Sequence, residues 1–111
     1  MTEDFYCDEV LSGNIEIERV YETDNVLAYY HTRPSYRVHI VVIPKKHIPS
    51  LTKIGKDDKN LFIELMDIVM LVAGKIENEY GACRVITNLG KYQDSKHLHW
   101  HIVSDEEASE D

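Results

Sequence analysis

The chain has 111 residues, a formal net charge of −8 and 43% apolar residues. This length predicts one globular domain. No apolar run approaches the roughly 20 residues that a membrane-spanning helix needs, so we expect no membrane partner. The negative charge argues against a nucleic acid as the partner. Cys7 and Cys83, far apart in sequence, and an N-terminus without a secretory signal pattern predict a cytoplasmic protein with reduced thiols.

The first half of the chain predicts three strands. Residues 15–21 alternate between apolar and polar side chains, and a polar turn at 23–25 leads to residues 26–30, the predicted partner strand of a hairpin. Residues 39–43 are largely apolar and β-branched, which is typical of a strand covered on both faces, and Pro44 ends it. These segments are expected to form the centre of a sheet.

A long helix is predicted over residues 57–80, where Asp57 and Asp58 can cap its start and Gly81 follows its end. One face is apolar and should pack on the sheet: Leu61, Phe62, Leu65, Ile68, Val69, Val72 and Ile76. A second apolar stripe flanks it: Ile63, Met66, Met70 and Ala73. This stripe indicates either a subunit partner that covers it or a helix buried broadly within the chain.

The last third predicts a strand over residues 83–87, a polar loop over 88–96 and a histidine-rich strand over 97–103. Together the elements predict an α+β domain with a mainly antiparallel sheet. We expect the domain to span residues 1–104 and residues 105–111 to form an acidic, solvated tail.

Three histidines in alternate positions form the candidate site. An extended chain puts His97, His99 and His101 on one face, about 6.6 Å apart along the strand. Three hypotheses follow: a zinc site, exposed histidines without a role, or nucleophilic catalysis at phosphorus. Nucleophilic catalysis is favoured, since Asn88 and Gln93 of the preceding loop can hydrogen-bond phosphate oxygens.

Residues 97–103 fit the pattern His-φ-His-φ-His-φ-φ, where φ is apolar, and the chain resembles the histidine triad (HIT) superfamily of nucleotide hydrolases and transferases. Further matches follow in the same order along the chain, at residues 20–22, 26–29, 34, 39–48, 88–90 and 93. The resemblance extends over nearly the whole chain up to Ser104. It implies a HIT-like fold, in which a short N-terminal helix accompanies the sheet and the long helix.

The resemblance implies a role for each of four histidines. His99 would attack the α-phosphorus of a nucleotide and carry it as a nucleotidyl-histidine, which water then cleaves. The carbonyl oxygen of His97 would orient the His99 ring. His101 would contact the phosphate and the leaving group, and His39 would support the triad from the neighbouring strand. No cofactor is implied.

Nucleotide-binding residues are implied in the same way. Asn88 and Gln93 would lie near the phosphate. Asp94 stands where relatives have Ser or Thr. Either Ser95 takes over that role after a local shift, or Asp94 turns outward, or the activity is weak or directed at another substrate. His31 stands where relatives have Asp or Asn to bind the ribose hydroxyls.

Two further sets of positions match the family. Tyr6 and Tyr29 correspond to walls of the base pocket, or are core aromatic residues. Cys7 and His47 match positions that bind zinc in some relatives, but Asp4 stands where a cysteine is expected, and no metal ligand is assigned.

The implied function is hydrolysis or transfer at the α-phosphate of a nucleoside phosphoramidate, a dinucleoside polyphosphate or a related purine nucleotide. Relatives are commonly homodimers, which agrees with the wide apolar face of the predicted helix. The alternative is a nucleotide-binding interaction protein with little or no turnover.

Overall fold

A computed structural model describes residues 4–108 and contains five strands and one long helix. A short π-helix, Tyr6–Val10, comes first. The strands are β1 (Arg19–Glu22), β2 (Val26–Tyr30), β3 (Val38–Pro44), β4 (Arg84–Ile86) and β5 (Trp100–Ser104). Helix α1 (Lys59–Tyr80) lies between β3 and β4 in the chain. The predicted α+β fold, with its short N-terminal helix, is confirmed.

The sheet has the order β1-β2-β3-β5-β4, and all neighbouring strands are antiparallel. Strand β3 is central, and all seven of its residues are buried. Its β-branched sequence suits this position because both of its faces lie against other side chains. The predicted strand with two covered faces is therefore confirmed.

Each face of the sheet has its own core. On one face α1 packs through five buried side chains: Leu65, Ile68, Val69, Val72 and Ile76. On the other face the π-helix contributes Tyr6 and Val10, which pack with Leu27, Tyr29, Val41 and Ile43. The histidines of β3 and β5 lie on this second face, beside the π-helix.

Two predicted strands are shorter than expected. Strand β1 begins only at Arg19, and the preceding Ile15 and Ile17 pack against the second core. Strand β5 begins at Trp100, because the residues before it bond to the segment after β3. The Leu98 N–H donates to the Ile48 carbonyl oxygen at 2.6 Å, and the pairing with β3 begins only at Trp100.

The second apolar stripe of α1 is only partly covered. Ile63 and Met70 are 59% and 62% exposed, and their neighbour Leu71 is 54% exposed. Broad burial of the helix within the chain is therefore not observed. None of the helices within residues 4–108 combines the length and the apolar character needed to span a bilayer.

The first residue after β5, Asp105, is hydrogen-bonded to Arg37. The Arg37 backbone N–H donates to Asp105 Oδ1 at 3.0 Å, and Arg37 Nε donates to the Asp105 carbonyl oxygen at 3.3 Å. The boundary at residue 104 stays a prediction, and residues 109–111 of the predicted tail lie outside the described residues.

Candidate functional site

The histidines of the triad and the apolar residues between them lie on opposite faces of the sheet. Leu98, Trp100 and Ile102 are buried in the core beneath α1. His97 and His99 are buried on the other side, with 0% and 4% exposure. The alternation predicted from the spacing is thus present, although it starts before β5 does.

His99 has its ring orientation set by a backbone group. Its Nδ1 lies 2.7 Å from the carbonyl oxygen of His97. A carbonyl oxygen only accepts, so Nδ1 carries the proton and Nε2 keeps its lone pair. The Tyr6 ring packs 4.7 Å from the His99 ring. Burial lowers the pKa of His99, so the neutral, nucleophilic form predominates at neutral pH.

A second hydrogen-bonded chain reaches His101 through His39. The Ser35 backbone N–H donates to His39 Nδ1 at 3.1 Å, which leaves the proton of neutral His39 on Nε2. That Nε2–H lies 2.8 Å from His101 Nδ1 and donates to it. His101 therefore presents an Nε2–H donor. Burial lowers the pKa of His39 to about 4 and that of His101 to about 3, so both are neutral at neutral pH.

A cavity of about 600 Å³ opens beside these rings. It is the place where the structure brings together five of the predicted site residues: His31, Asn88, Ser95, His99 and His101. Its volume is in the range of small-molecule sites. The arrangement offers one unprotonated imidazole nitrogen and several hydrogen-bond donors in a single cleft.

Four other predicted site residues do not line this cavity. Gln93 is buried, and its Nε2 donates to the Pro49 carbonyl oxygen at 2.7 Å, so it anchors the loop before the triad. Tyr29 is 1% exposed within the second core, where burial raises its pKa. His39 Nε2 bonds to His101, and the His97 carbonyl oxygen accepts a hydrogen bond from His99.

The loop before the triad is held by three further hydrogen bonds. Lys96 Nζ donates to the carbonyl oxygens of Gly90 and Gln93, at 3.0 and 3.1 Å. Ser95 Oγ accepts a hydrogen bond from the Phe5 N–H at 3.0 Å. Ser95 thereby connects the loop to the N-terminal segment, which forms part of the cavity wall.

Comparison with known proteins places the chain in one family. The family model for the HIT domain matches residues 12–108. The chain belongs to the HIT family. An uncharacterized HIT-like protein of Chlamydia trachomatis is 36% identical over 100 residues, which cover 86% of this chain and 87% of that protein. Membership supports a nucleotide-binding or hydrolytic protein.

Two solved structures are similar to this HIT domain. A HIT family hydrolase from Legionella pneumophila has a TM-score of 0.78 at 26% identity, with 91% of each chain covered. A histidine triad protein from Clostridium difficile has a TM-score of 0.76 at 31% identity, with 100% of this chain and 94% of that chain covered.

Sequence reasoning missed several residues of the cavity. They are Phe5, Ile15, Glu16, Thr32 and Arg33. Phe5, Ile15 and Glu16 reach the cavity only because the N-terminal segment folds back over the second face of the sheet. Thr32 and Arg33 had a usable signal, since they directly follow His31, a residue already assigned to the nucleotide.

A second cluster, which shares His97 with the triad, could hold a metal ion. One ligand atom each from Asp4, Cys7, His47 and His97 lies within 4.8 Å of the others. His97 Nε2 donates to the Pro44 carbonyl oxygen at 2.8 Å, so Nδ1 of neutral His97 is an acceptor, and it lies 3.0 Å from Asp4 Oδ2.

Two acceptors at that distance require a proton or a cation between them. Burial raises the pKa of the Asp4 carboxyl, but hydrogen bonds from Cys7 and the adjacent His97 ring outweigh this effect and bring the pKa to about 2. Oxygen, sulfur and nitrogen donors together fit a borderline cation such as Zn²⁺. A cation there would tie the π-helix to His97, whose carbonyl oxygen orients His99.

The nitrogens of His31, His39 and His101 also lie within 4.8 Å of one another. This set fits a metal poorly. His39 Nδ1 already accepts a hydrogen bond from the Ser35 N–H, so the ring proton of neutral His39 is on Nε2. Nε2 is the nitrogen that would face the ion, and a protonated nitrogen has no lone pair to bind it.

Proposed function

We propose that this protein hydrolyses or transfers the nucleoside monophosphate group of a purine nucleotide through a covalent intermediate on His99. The observation that carries the proposal is the hydrogen bond from His99 Nδ1 to the His97 carbonyl oxygen at 2.7 Å. It leaves the Nε2 lone pair on a neutral ring that lines the cavity. An imidazole nitrogen in this state is a nucleophile for phosphorus.

The reaction takes two displacements. In the first, His99 Nε2 bonds to the α-phosphorus as the bond from phosphorus to the leaving group breaks, and the leaving group departs with its electron pair. The His101 Nε2–H donates to the phosphate or to the leaving group, where negative charge develops. In the second, water bonds to phosphorus, loses a proton, and the P–N bond returns its electron pair to His99.

The substrates we propose are nucleoside phosphoramidates, dinucleoside polyphosphates or related nucleotides. Asn88 and Ser95 line the cavity beside His99 and would bind the phosphate. The cavity also has apolar walls from Phe5 and Ile15, against which a purine base can pack. We further propose a cytoplasmic location, in agreement with the free thiols of Cys7 and Cys83.

The test is nucleotide release by wild type and by His99→Ala, with adenosine phosphoramidate and diadenosine tetraphosphate as separate substrates. We expect AMP from at least one substrate and a loss of at least about 10³-fold in His99→Ala. Circular dichroism and AMP binding serve as controls, because His99→Ala should fold and still bind AMP. Equal release by the two proteins would overturn the proposal.

A nucleotide-binding protein with little turnover is the second candidate. Asp94 lines the cavity, and its carboxylate raises the pKa of His99 against the effect of burial. A negative charge this close to the nucleophile repels an incoming phosphate. Tight AMP binding without His99-dependent release from either substrate would favour this candidate.

We also propose that the protein is a homodimer. Ile63, Met70 and Leu71 form an exposed apolar surface on α1, and Val85 is 46% exposed on the edge strand β4. A second copy that covers these side chains would remove them from water. Sedimentation should show a dimer for wild type and a weakened one for Met70→Glu, and a wild-type monomer at micromolar concentration would contradict this.

A further inference from the structure

One end of the cavity is formed by three consecutive residues, His31, Thr32 and Arg33, here named the 31–33 corner. The His31 ring stacks on His39 at 4.3 Å and lies 6.1 Å from the His101 ring. The corner therefore adjoins the reacting groups without being one of them. Its three side chains can offer hydrogen-bond donors to a ligand.

The tautomer of His31 follows from its neighbour. The Arg33 backbone N–H lies 2.9 Å from His31 Nδ1, and because a backbone N–H only donates, Nδ1 is the acceptor. The proton of neutral His31 is then on Nε2. Burial lowers the pKa of His31, which keeps the ring neutral at neutral pH. His31 thus offers a ligand an N–H donor, whereas a carboxylate would offer an acceptor.

The corner itself carries one positive charge, that of Arg33, and the carboxylates that line the same cavity are Glu16 and Asp94. Arg33 lines the cavity, and its guanidinium forms no ion pair with any residue in the range 4–108. The causes of the His31 pKa shift include no carboxylate. Asp94, in contrast, acts on His99 and Tyr6. A guanidinium, an imidazole N–H and the Thr32 hydroxyl together make a set of donors suited to a phosphate.

The position of the corner limits which phosphate it can bind. The His101 ring lies 4.9 Å from His99 and 6.1 Å from His31, so it neighbours both the nucleophile and the corner. Adjacent phosphates of a polyphosphate share a bridging oxygen and lie side by side. Phosphates on two positions of one ribose are held apart by the sugar, so one of them can reach the corner while the other faces His99.

We propose that the 31–33 corner binds a phosphate carried on the ribose of the substrate. The substrate class is then a nucleotide that bears a 2′- or 3′-phosphate in addition to the 5′-phosphorus facing His99. This inference rests on the proposed function, because it takes His99 as the site of the 5′-phosphorus.

The test is calorimetric binding of four ligands: AMP, ATP, adenosine 2′,5′-bisphosphate and adenosine 3′,5′-bisphosphate. One of the two bisphosphates should bind wild type about 10-fold more tightly than AMP, the gain typical of one charge-assisted hydrogen-bonded contact. In Arg33→Gln this ratio should fall to about one. Arg84→Gln, which removes an exposed arginine outside the cavity, should keep the wild-type ratio.

Each contrary result has its own meaning. If both bisphosphates bind wild type no better than AMP, the corner has no ribose-phosphate role, while the proposed function stands. If ATP shows the gain over AMP, and Arg33→Gln removes it, the corner binds a polyphosphate and the ribose assignment is overturned. If none of the four ligands binds, the inference and the proposed nucleotide function both fail.

Discussion

Hydrogen bonds to the backbone decide what each imidazole of the cavity can do. The His97 carbonyl oxygen fixes the proton of His99 on Nδ1, and the Ser35 N–H fixes that of His39 on Nε2. His39 in turn makes His101 a donor towards the cavity. One unprotonated nitrogen and one N–H donor thus lie on adjacent rings, a pairing suited to attack on phosphorus with charge stabilisation.

Asp94 is the residue whose charge opposes this arrangement. Replacing its carboxylate by an amide in Asp94→Asn should tighten AMP binding about 3- to 10-fold at low salt, because the repulsion between two negative charges is removed. The gain should shrink as salt screens the charges. Calorimetry at two ionic strengths measures both effects.

Asp67→Asn is the matched control, since Asp67 is an exposed carboxylate of α1 that does not line the cavity. It should leave AMP affinity unchanged. The same affinity for Asp94→Asn as for wild type would show that Asp94 turns away from the bound phosphate.

The triad could be predicted from spacing because strand geometry alone puts alternate residues on one face. The direction of a single side chain follows no such rule. Gln93 lies four residues before His97, yet its amide bonds to Pro49 and not towards the cavity. For Arg33 the only signal in the sequence was its position two residues after His31, since the direction of its side chain depends on how the segment between β2 and β3 folds.

Among the elements, α1 has the clearest sequence signal at its end. Gly81 follows Tyr80 with φ of 82°, in the left-handed region, and its N–H donates to the Glu77 carbonyl oxygen at 2.8 Å. Nothing lies within 4 Å of a Cβ built at this position. Gly81→Ala should therefore lower the free energy of unfolding by about 1 kcal/mol through backbone strain alone.

Gly74 provides the opposite case within the same helix. It has helical geometry and also open space for a Cβ. Gly74→Ala should raise the free energy of unfolding by about 0.5–1 kcal/mol, because alanine loses less backbone entropy in a helix. Urea unfolding of both variants tests the pair, and a shift of the same sign in both would contradict this account.

Element boundaries were less predictable than the elements themselves. The periodicity of α1 gave its core face, since five of the seven predicted residues are buried. The ends of β1 and β5 depend on tertiary partners. Ile15 and Ile17 alternate like strand residues but pack beneath the N-terminal segment, and Leu98 bonds to Ile48. No local pattern contains those long-range contacts.

For the whole molecule, the buried imidazoles predict a loss of stability in mild acid. His39 and His101 have folded-state pKa values of about 4 and 3, below the ordinary value of 6.5. Below about pH 6.5 these two imidazoles therefore bind more protons in the unfolded chain than in the folded one. Stability should be constant above about pH 7 and fall from pH 6.5 towards 4, with a slope of at most about 1.4 kcal/mol per pH unit for each imidazole.

Urea unfolding at a series of pH values measures this slope. His39→Gln removes one of the two groups, so its stability should fall less steeply over the same range. A wild-type free energy of unfolding that stays flat between about pH 7 and 5 would show that these rings take up protons in the folded state as readily as in the unfolded one.

The most direct test of the account is the stereochemical course at the α-phosphorus, measured with a substrate of defined configuration hydrolysed in isotopically labelled water. Each in-line displacement inverts phosphorus, so attack by His99 followed by attack by water predicts net retention of configuration. Net inversion would mean that water attacks the nucleotide directly, and it would contradict a covalent intermediate on His99.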